Sequence, residues 1–253
     1  KGKKINFIKN EILKNSDSFL KNLLSDKNII INCSGITEQN NNNKNYVKDS
    51  IIVNSLFPLK LKKFMKNKQK IYQIATNGVF NSEKGGYKET DTQNLNSVYS
   101  ATKSLGEING KNFYNIRCSI IGEELKSNNF LISWFLSRKK NTSIRGFENH
   151  IWNGVTTKVF AQILNTIIDS KIKLPNKFHL IPKDKLSKYK LLMLVNKYKK
   201  RKLKITKYKT KDAIDRTLNT NYKNINQSLW KKTFLKQLTI EEMLSKFFNE
   251  ETK

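Results

Sequence analysis

The chain has 253 residues, 37% of them hydrophobic and 27% charged, which is enough apolar material for one core or two small lobes and excludes a disordered chain. A formal charge of +29 admits polyanion binding, but Arg occurs only at Arg117, Arg138, Arg145, Arg201 and Arg216, while Lys, Asn and Ile abound throughout as AT-rich coding produces; a nucleic-acid surface concentrates Arg for its bidentate fork, so specific nucleic-acid binding is disfavoured. No apolar run approaches the roughly 18 residues of a membrane span, and the two cysteines, Cys33 and Cys118, read as buried free thiols of a cytoplasmic, reducing compartment.

In chain order, Ile5 to Ile8 predicts a strand, Asp17 to Leu24 a helix, and Ile29 to Cys33 a buried strand. An asparagine run, Asn40 to Asn43, precedes an amphipathic helix from about Val47 to Met65. Ile71 to Ala75 follows as a strand, then a loop with Gly78, Gly85 and Gly86, a helix over Tyr99 to Ile108, and a strand over Tyr114 to Cys118. This alternation is the mark of βαβ units and a parallel sheet. Beyond Gly122 the pattern changes: helices over Phe130 to Leu136, Val159 to Ile168 and Lys185 to Tyr198, a strand over Leu203 to Tyr208, and a last helix opened by the capping pair Thr239 and Glu242. The division expected is a nucleotide-binding lobe over 1–122 and a smaller α+β lobe over 123–253, with segments near 155–182 returning to the first.

Tyr99 and Lys103 lie four apart in YSATK, on one face of the helix. An ammonium beside a phenol favours the phenolate, so Lys103 is expected to draw the Tyr99 pKa down toward neutrality and fit it for proton transfer. A Tyr and a Lys at this spacing recur by chance in a Lys-rich chain, and Tyr198 with Lys202 is a second such pair. Context separates them: the strand IYQIA delivers the hydroxyl of Thr76 at the C-terminal end of a parallel strand, where open α/β sheets bind ligands. Tyr198 has no comparable partner.

These residues resemble the extended short-chain dehydrogenases/reductases, in particular the group around dTDP-4-dehydrorhamnose reductase. Seven segments match in order: IINCSGIT from Ile30, VNSLFPLKL from Val53, ATNGVF from Ala75, GGYKETD from Gly85, IRCSIIGEE from Ile116, GFENHIWNGVTTKVFA from Gly146, and FHLIP around His179. The resemblance implies a Rossmann-like doubly wound parallel sheet and a substrate-binding lobe, with NADP(H) or NAD(H) as cofactor and a nucleotide sugar as substrate. It implies catalytic Thr76, Tyr99 and Lys103, and a cofactor site at Cys33, Ser34, Gly35, Asn54, Ala75, Tyr99, Lys103, Cys118 and Ser119. It places Thr37, Asn77, Ile120, Arg145, Asn149, Trp152 and Asn153 against substrate. Asn54 would support the site and its water relay, and the chain is expected to act as a reductase in surface-polysaccharide precursor synthesis, as a candidate homodimer.

Departures sharpen the reading. Ala75 stands where the family has Ser, Asn77 where it has Asp, and Ser100 where Gly commonly follows the catalytic Tyr. Related dehydratases carry Asp-Glu after the catalytic Thr; Asn77 and Gly78 cannot shuttle a proton, which disfavours elimination. The family opens with a strand and a three-glycine turn for the cofactor diphosphate. Before Gly35 this chain has only Gly2, so the first βα unit is expected to be missing, the sheet to have an open edge, and the cofactor to bind poorly. The alternative readings are a non-catalytic nucleotide-sugar-binding or regulatory subunit of the same fold, or a nucleotide-sugar epimerase. No metal is expected, since His150 and His179 lack neighbours at ligand spacing.

Overall fold

The computed structural model describes residues 8–249 except 10, 15, 41, 126 and 171. The strand expected at Ile5 to Ile8 falls mostly outside them, and Ile8 itself is in no regular element. The first part of the chain forms α1 (Asp17–Leu24), β1 (Ile29–Asn32), α2 (Tyr46–Ser50), a π-helical turn (Ile51–Leu56), α3 (Phe57–Phe64), β2 (Lys70–Thr76), α4 (Val98–Leu105) and β3 (Phe113–Cys118). Then come β4 (Ile120–Ile121), α5 (Leu131–Leu136), β5 (Ser143–Phe147), β6 (His150–Trp152), β7 (Val155–Thr156), α6 (Thr157–Asp169), β8 (Lys177–His179) and β9 (Leu186–Ser187). The chain closes with α7 (Lys188–Tyr198), β10 (Lys204–Tyr208), β11 (Ile214–Asp215), α8 (Lys223–Phe234) and α9 (Ile240–Asn249).

The principal sheet is parallel throughout, in the order β1-β2-β3-β8. Successive side chains of its strands point to opposite faces, and β2 and β3 send apolar residues to both. Ile71 and Phe113 pack with Leu20, Leu24 and Leu61 of α1 and α3 on one face. Tyr72, Ile116 and Cys118 point the other way, into the main core with Val159, Phe160 and Ile163 of α6 and Leu229 and Trp230 of α8. Burying each of these large side chains is worth roughly 1.5–3 kcal/mol, so the two-faced pattern fixes the strand register. β8 enters from the later chain and pairs with β3 through Asn115↔Lys177 to Arg117↔His179. Three smaller sheets, β5 with β10, β11-β6-β9, and β4 with β7, make up the remainder.

Two expectations are corrected. The first strand is not buried: Ile29 and Ile31 are 38% and 42% exposed. β1 pairs only with β2 among the described residues, and of its two faces only the one bearing Ile30 and Asn32 is covered, Ile30 packing on the cluster that holds Leu20 and Leu24 of α1. Cys33, one residue past its end, is likewise exposed, whereas Cys118 is buried; both thiols are free.

The helix over 46–64 is continuous but irregular for a reason in its sequence. Pro58 has no N–H to offer the Asn54 carbonyl four residues back, and the preceding turn widens to π, with the Phe57 amide donating to the Ile52 carbonyl. The capping box at Thr239 forms as its spacing predicts: the Glu242 amide donates to Thr239 Oγ1 and the Thr239 amide to Glu242 Oε2. Among the described residues no helix is long and apolar enough to cross a membrane, and no cluster of His, Cys, Asp or Glu could hold a metal.

Candidate active site

Parallel strands bring three loops out at one edge. Thr76, the last residue of β2, sits opposite Cys118, the last of β3, and Cys33 follows the end of β1. Helix α4 then carries Tyr99 and Lys103 beneath these ends. Its start is fixed by a capping box in which the Ser97 and Ser100 side chains exchange bonds with each other's backbone amides. Ser100, a departure from the family pattern, is therefore half of that cap. At its other end Gly106 touches the Asn54 carbonyl so closely that an added Cβ would lie 1.9 Å from that oxygen. Asn54 ties this helix to the loop after β1: its Oδ1 accepts from the Ile36 amide at 2.9 Å, and its Nδ2 donates to the Ile36 carbonyl at 2.9 Å and to Thr102 Oγ1 at 3.1 Å.

The result is a cavity of about 310 Å³ lined by Cys33, Ser34, Gly35, Thr37, Ile74, Ala75, Thr76, Asn77, Tyr99, Lys103, Cys118, Ser119, Ile120 and Phe130. The three expected catalytic side chains and every expected cofactor contact except Asn54 meet there. Thr76 Oγ1 accepts from the Gly78 amide at 3.0 Å, which leaves its proton for another acceptor. Gly78 is required by closeness: a Cβ there would stand 2.9 Å from Tyr99 Cε1. Lys103, 7% exposed, sends Nζ to the Ile74 carbonyl at 3.1 Å.

The expected depression of the Tyr99 pKa is corrected by this geometry. Burial pushes the phenol above its usual value of 10.0, outweighing the opposing effects of a hydrogen bond with Thr76 and the Arg216 charge. The Lys103 ammonium, directed at a backbone carbonyl and itself lowered by burial, does not overcome this. Tyr99 is thus held as a protonated acid.

A larger cavity of about 710 Å³ adjoins the first, sharing Ser119, Ile120 and Phe130. Arg145 and Trp152 line it, as do Lys188, Phe147 and Trp134. The Trp152 indole donates to Ser119 Oγ at 2.7 Å, which joins the two walls. Arg145 rests over the Tyr208 ring, 4.6 Å from its centroid. Lys188 was not legible as a site residue; it is one lysine among many, and only its place just after the Ser187 cap of α7 sets it there. Its pKa is lowered, by burial first and then by Arg216.

Asn149 and Asn153 line neither cavity. Asn149 bonds the Thr210 backbone in both directions, and Asn153 does the same to Leu218, donating at 2.7 Å and accepting at 2.9 Å. Asn77 reaches the first cavity, but its amide donates to the Arg216 carbonyl. The second Tyr/Lys pair dissolves: Lys202 lies past the end of α7 with φ of 56° and shares no helix face with Tyr198.

Beneath the site lies a buried polar network the sequence did not announce. Arg117 makes a two-pronged bond to Glu107, Nε to Oε1 at 2.7 Å and Nη2 to Oε2 at 2.6 Å, and its Nη1 meets His179 Nε2 at 3.1 Å. His179 Nδ1 faces the carbonyls of Tyr87 and Asn219. Two acceptors at Nδ1 and a donor at Nε2 assign the neutral Nδ1–H tautomer, and burial lowers the His179 pKa accordingly.

No curated protein sequence matches the chain. Among solved structures, it resembles dTDP-4-dehydrorhamnose reductase from Bacillus anthracis in complex with NADP, at 19% identity and a TM-score of 0.72, covering 94% of this chain and 86% of that one. The Clostridium acetobutylicum dTDP-4-dehydrorhamnose reductase is similar at 19% identity and a TM-score of 0.73, with the same coverages. UDP-glucuronic acid 4-epimerase from Bacillus cereus, in complex with UDP-glucuronic acid and NAD, follows at 16% identity and 0.70, covering 96% and 80%. At these identities the likeness is one of fold, and it places the chain in the Rossmann-like α/β class. The model of the RmlD substrate binding domain matches residues 9–252, so the protein belongs to the RmlD substrate binding domain family.

Proposed function

We propose that this protein reduces the carbonyl of a nucleotide-linked keto-deoxysugar with NADPH or NADH, in the cytoplasm, as a step toward surface polysaccharide. The observation that supports it is the convergence of Thr76, Tyr99 and Lys103 on one cavity at the C-terminal edge of a parallel sheet. The names of the structurally similar reductases point the same way.

The residues present fit the nicotinamide end of such a cofactor. Gly35 keeps its backbone bare beside Asn54 and Lys103, since an added Cβ would fill the gap in van der Waals contact with both, 3.6 Å from Asn54 Oδ1 and from Lys103 Nζ. The Lys103 ammonium has spent one donor on Ile74 and has others to offer a ribose. The bound cofactor would supply hydride to the sugar carbonyl carbon. Thr76 would hydrogen-bond the carbonyl oxygen, and Tyr99, kept protonated by burial, would give its proton to that oxygen as charge develops. Lys103 would hold ribose and orient the phenol.

In this reading residues 1–122 are the cofactor lobe and 123–253 mainly the substrate lobe, with 155–182 returning through β8. Arg145 and Lys188 would meet the substrate diphosphate and Trp152 its base or sugar, while Asn149 and Asn153 hold the loops around them. The exposed Val47, Ile51 and Leu105 suit a homodimer contact.

Replacing Tyr99 by Phe in the full-length protein is the test. Turnover of a nucleotide-linked 4-keto-6-deoxysugar, followed by NADPH absorbance, should fall by about a thousandfold or more, with cofactor affinity nearly unchanged. Retained turnover would exclude Tyr99 as the acid.

A further inference from the structure

The mechanism leaves one strongly charged surface unused, and the fold assembles it from two distant stretches. The loop after α5 carries Arg138, Lys139 and Lys140; the turn after α7 carries Lys200, Arg201 and Lys202, and Lys204 opens β10. Parallel pairing of β5 with β10 puts Ser143 opposite Lys204 and so lays the two stretches side by side. The Lys204 amide donates to the Thr142 carbonyl at 3.1 Å, and Arg201 Nη2 donates to the Arg138 carbonyl. Seven of the eight residues at 138–140 and 200–204 are basic, against 49 of 253 in the whole chain. The general lysine bias does not produce that density.

Three further features separate this patch from an ordinary solvated face. First, lysines around its rim find carboxylates, Lys197 at Glu241, Lys199 at Glu123 and Lys207 at Glu148. Lys139, Lys140, Lys200, Lys202 and Lys204 are exposed and make no ion pair among the described residues. Second, the backbone carrying them is left-handed at three non-glycine positions, Asn141, Lys200 and Lys202, at φ of 65°, 47° and 56°. Lys200 follows the end of α7, where Gly is the usual residue, and a lysine in this conformation costs about 1 kcal/mol. Third, the charge is mostly lysine. Point charges on flexible stems suit a diffuse anionic surface, whereas nucleic-acid recognition favours the rigid Arg fork.

We propose that the 138–140 and 200–204 face docks the protein on an anionic phospholipid surface. The two stretches would reach the headgroup layer together, with the Trp134 ring beside Arg138 at 5.0 Å as an amphipathic neighbour. Clusters of four to eight lysines and arginines gain roughly 1 kcal/mol per residue near such a surface. This inference does not depend on the reaction assigned above.

The test compares the wild-type chain with two fourfold charge reversals of equal net charge, read by co-sedimentation with vesicles. One variant reverses the patch (Lys139→Glu, Lys140→Glu, Lys200→Glu, Lys202→Glu). The other reverses four exposed lysines elsewhere (Lys21→Glu, Lys68→Glu, Lys231→Glu, Lys232→Glu). Vesicles of phosphatidylcholine with about 30% phosphatidylglycerol should bind the wild type and pure phosphatidylcholine should not. The patch variant should lose about a thousandfold or more in partitioning and the control variant less than about threefold. A Lys→Gln set at the same four patch positions, with unchanged thermal unfolding, should also lose partitioning and so rules out a folding effect. Equal losses in both reversals, no preference for anionic vesicles, or binding to single-stranded RNA that vesicles fail to compete would each overturn the proposal.

Discussion

Asn77, the residue after Thr76, donates its side-chain amide to the backbone carbonyl of Arg216 at 3.0 Å, joining loops 139 positions apart. The same join is strengthened by Arg216 Nε on Ser82 Oγ at 2.8 Å and by the Asp215 amide on the Ser82 carbonyl at 2.7 Å. The amide that replaces the family carboxylate is therefore structural, since a carboxylate cannot donate to a carbonyl. Asn77→Asp should remove one hydrogen bond, worth about 1 kcal/mol, and set a negative charge against an acceptor. The expected outcome is a KM for the nucleotide sugar raised about three- to tenfold, with the melting temperature down by no more than about 3 °C. Kinetics identical to wild type would mean that this contact does not position the substrate side of the cavity.

Burial moves the two groups of the site in opposite directions: Lys103 falls below 10.5 and Tyr99 rises above 10.0. As pH rises, Lys103 therefore loses its proton below its usual range, and the reduction rate should decline on an alkaline limb below pH 10.5 that belongs to the lysine. Lys103→Arg, which stays charged above pH 12, should keep partial activity and shift that limb upward by more than about one unit. A limb that does not move would assign it to another group.

Much of this was written in local pattern. The strands ending at Thr76 and Cys118 were legible because a doubly covered parallel sheet makes near-continuous apolar runs, and α4 because a 3.6-residue period places Tyr99 over Lys103. Tertiary effects were not legible. No spacing announces that Lys103 will bond Ile74, that Asn149 and Asn153 will spend their amides on Thr210 and Leu218, or that Arg117 will find both Glu107 and His179. The irregular turn around Asn54 could have been foreseen, because Pro58 four residues later withholds the amide its carbonyl would use.

The Arg117–Glu107 pair has side chains 1% and 2% exposed. Removing Arg117 leaves the Glu107 carboxylate in a low-dielectric interior with the partly exposed Lys177 ammonium at 3.8 Å and the Gln93 side-chain amide at 3.0 Å as its remaining partners, at a cost of about 3–5 kcal/mol, whereas replacing both members of the pair with apolar groups is often close to neutral. Arg117→Met should therefore lower the melting temperature by on the order of 10 °C, and the double change Arg117→Met with Glu107→Leu should recover most of that loss. Thermal unfolding of the three proteins checks it; a double variant as weak as the single one would show that the Arg117 bond to His179 and the Gln93 bond to Glu107, not the ion pair, carry the network's stability.

Glu242 at the start of α9 accepts from the Thr239 amide at 2.8 Å and from Lys236 Nζ at 2.5 Å, and these bonds, Lys236 first, pull its pKa from 4.5 to about 2. A carboxylate whose folded pKa is depressed contributes stability above its unfolded pKa and loses that contribution as pH falls through the folded value. The side chain is 36% exposed, so solvent screens the gain well below what the shift alone suggests. Glu242→Gln keeps a capping oxygen but not the charge, and should lower the melting temperature by about 1–2 °C at pH 7. Between pH 4.5 and about 2 the difference between the two proteins should close, as the wild-type carboxylate takes up its proton. Melting curves at stepped pH decide the matter: a gap that stays constant across this range would show that the cap holds α9 through geometry alone, with no part played by charge.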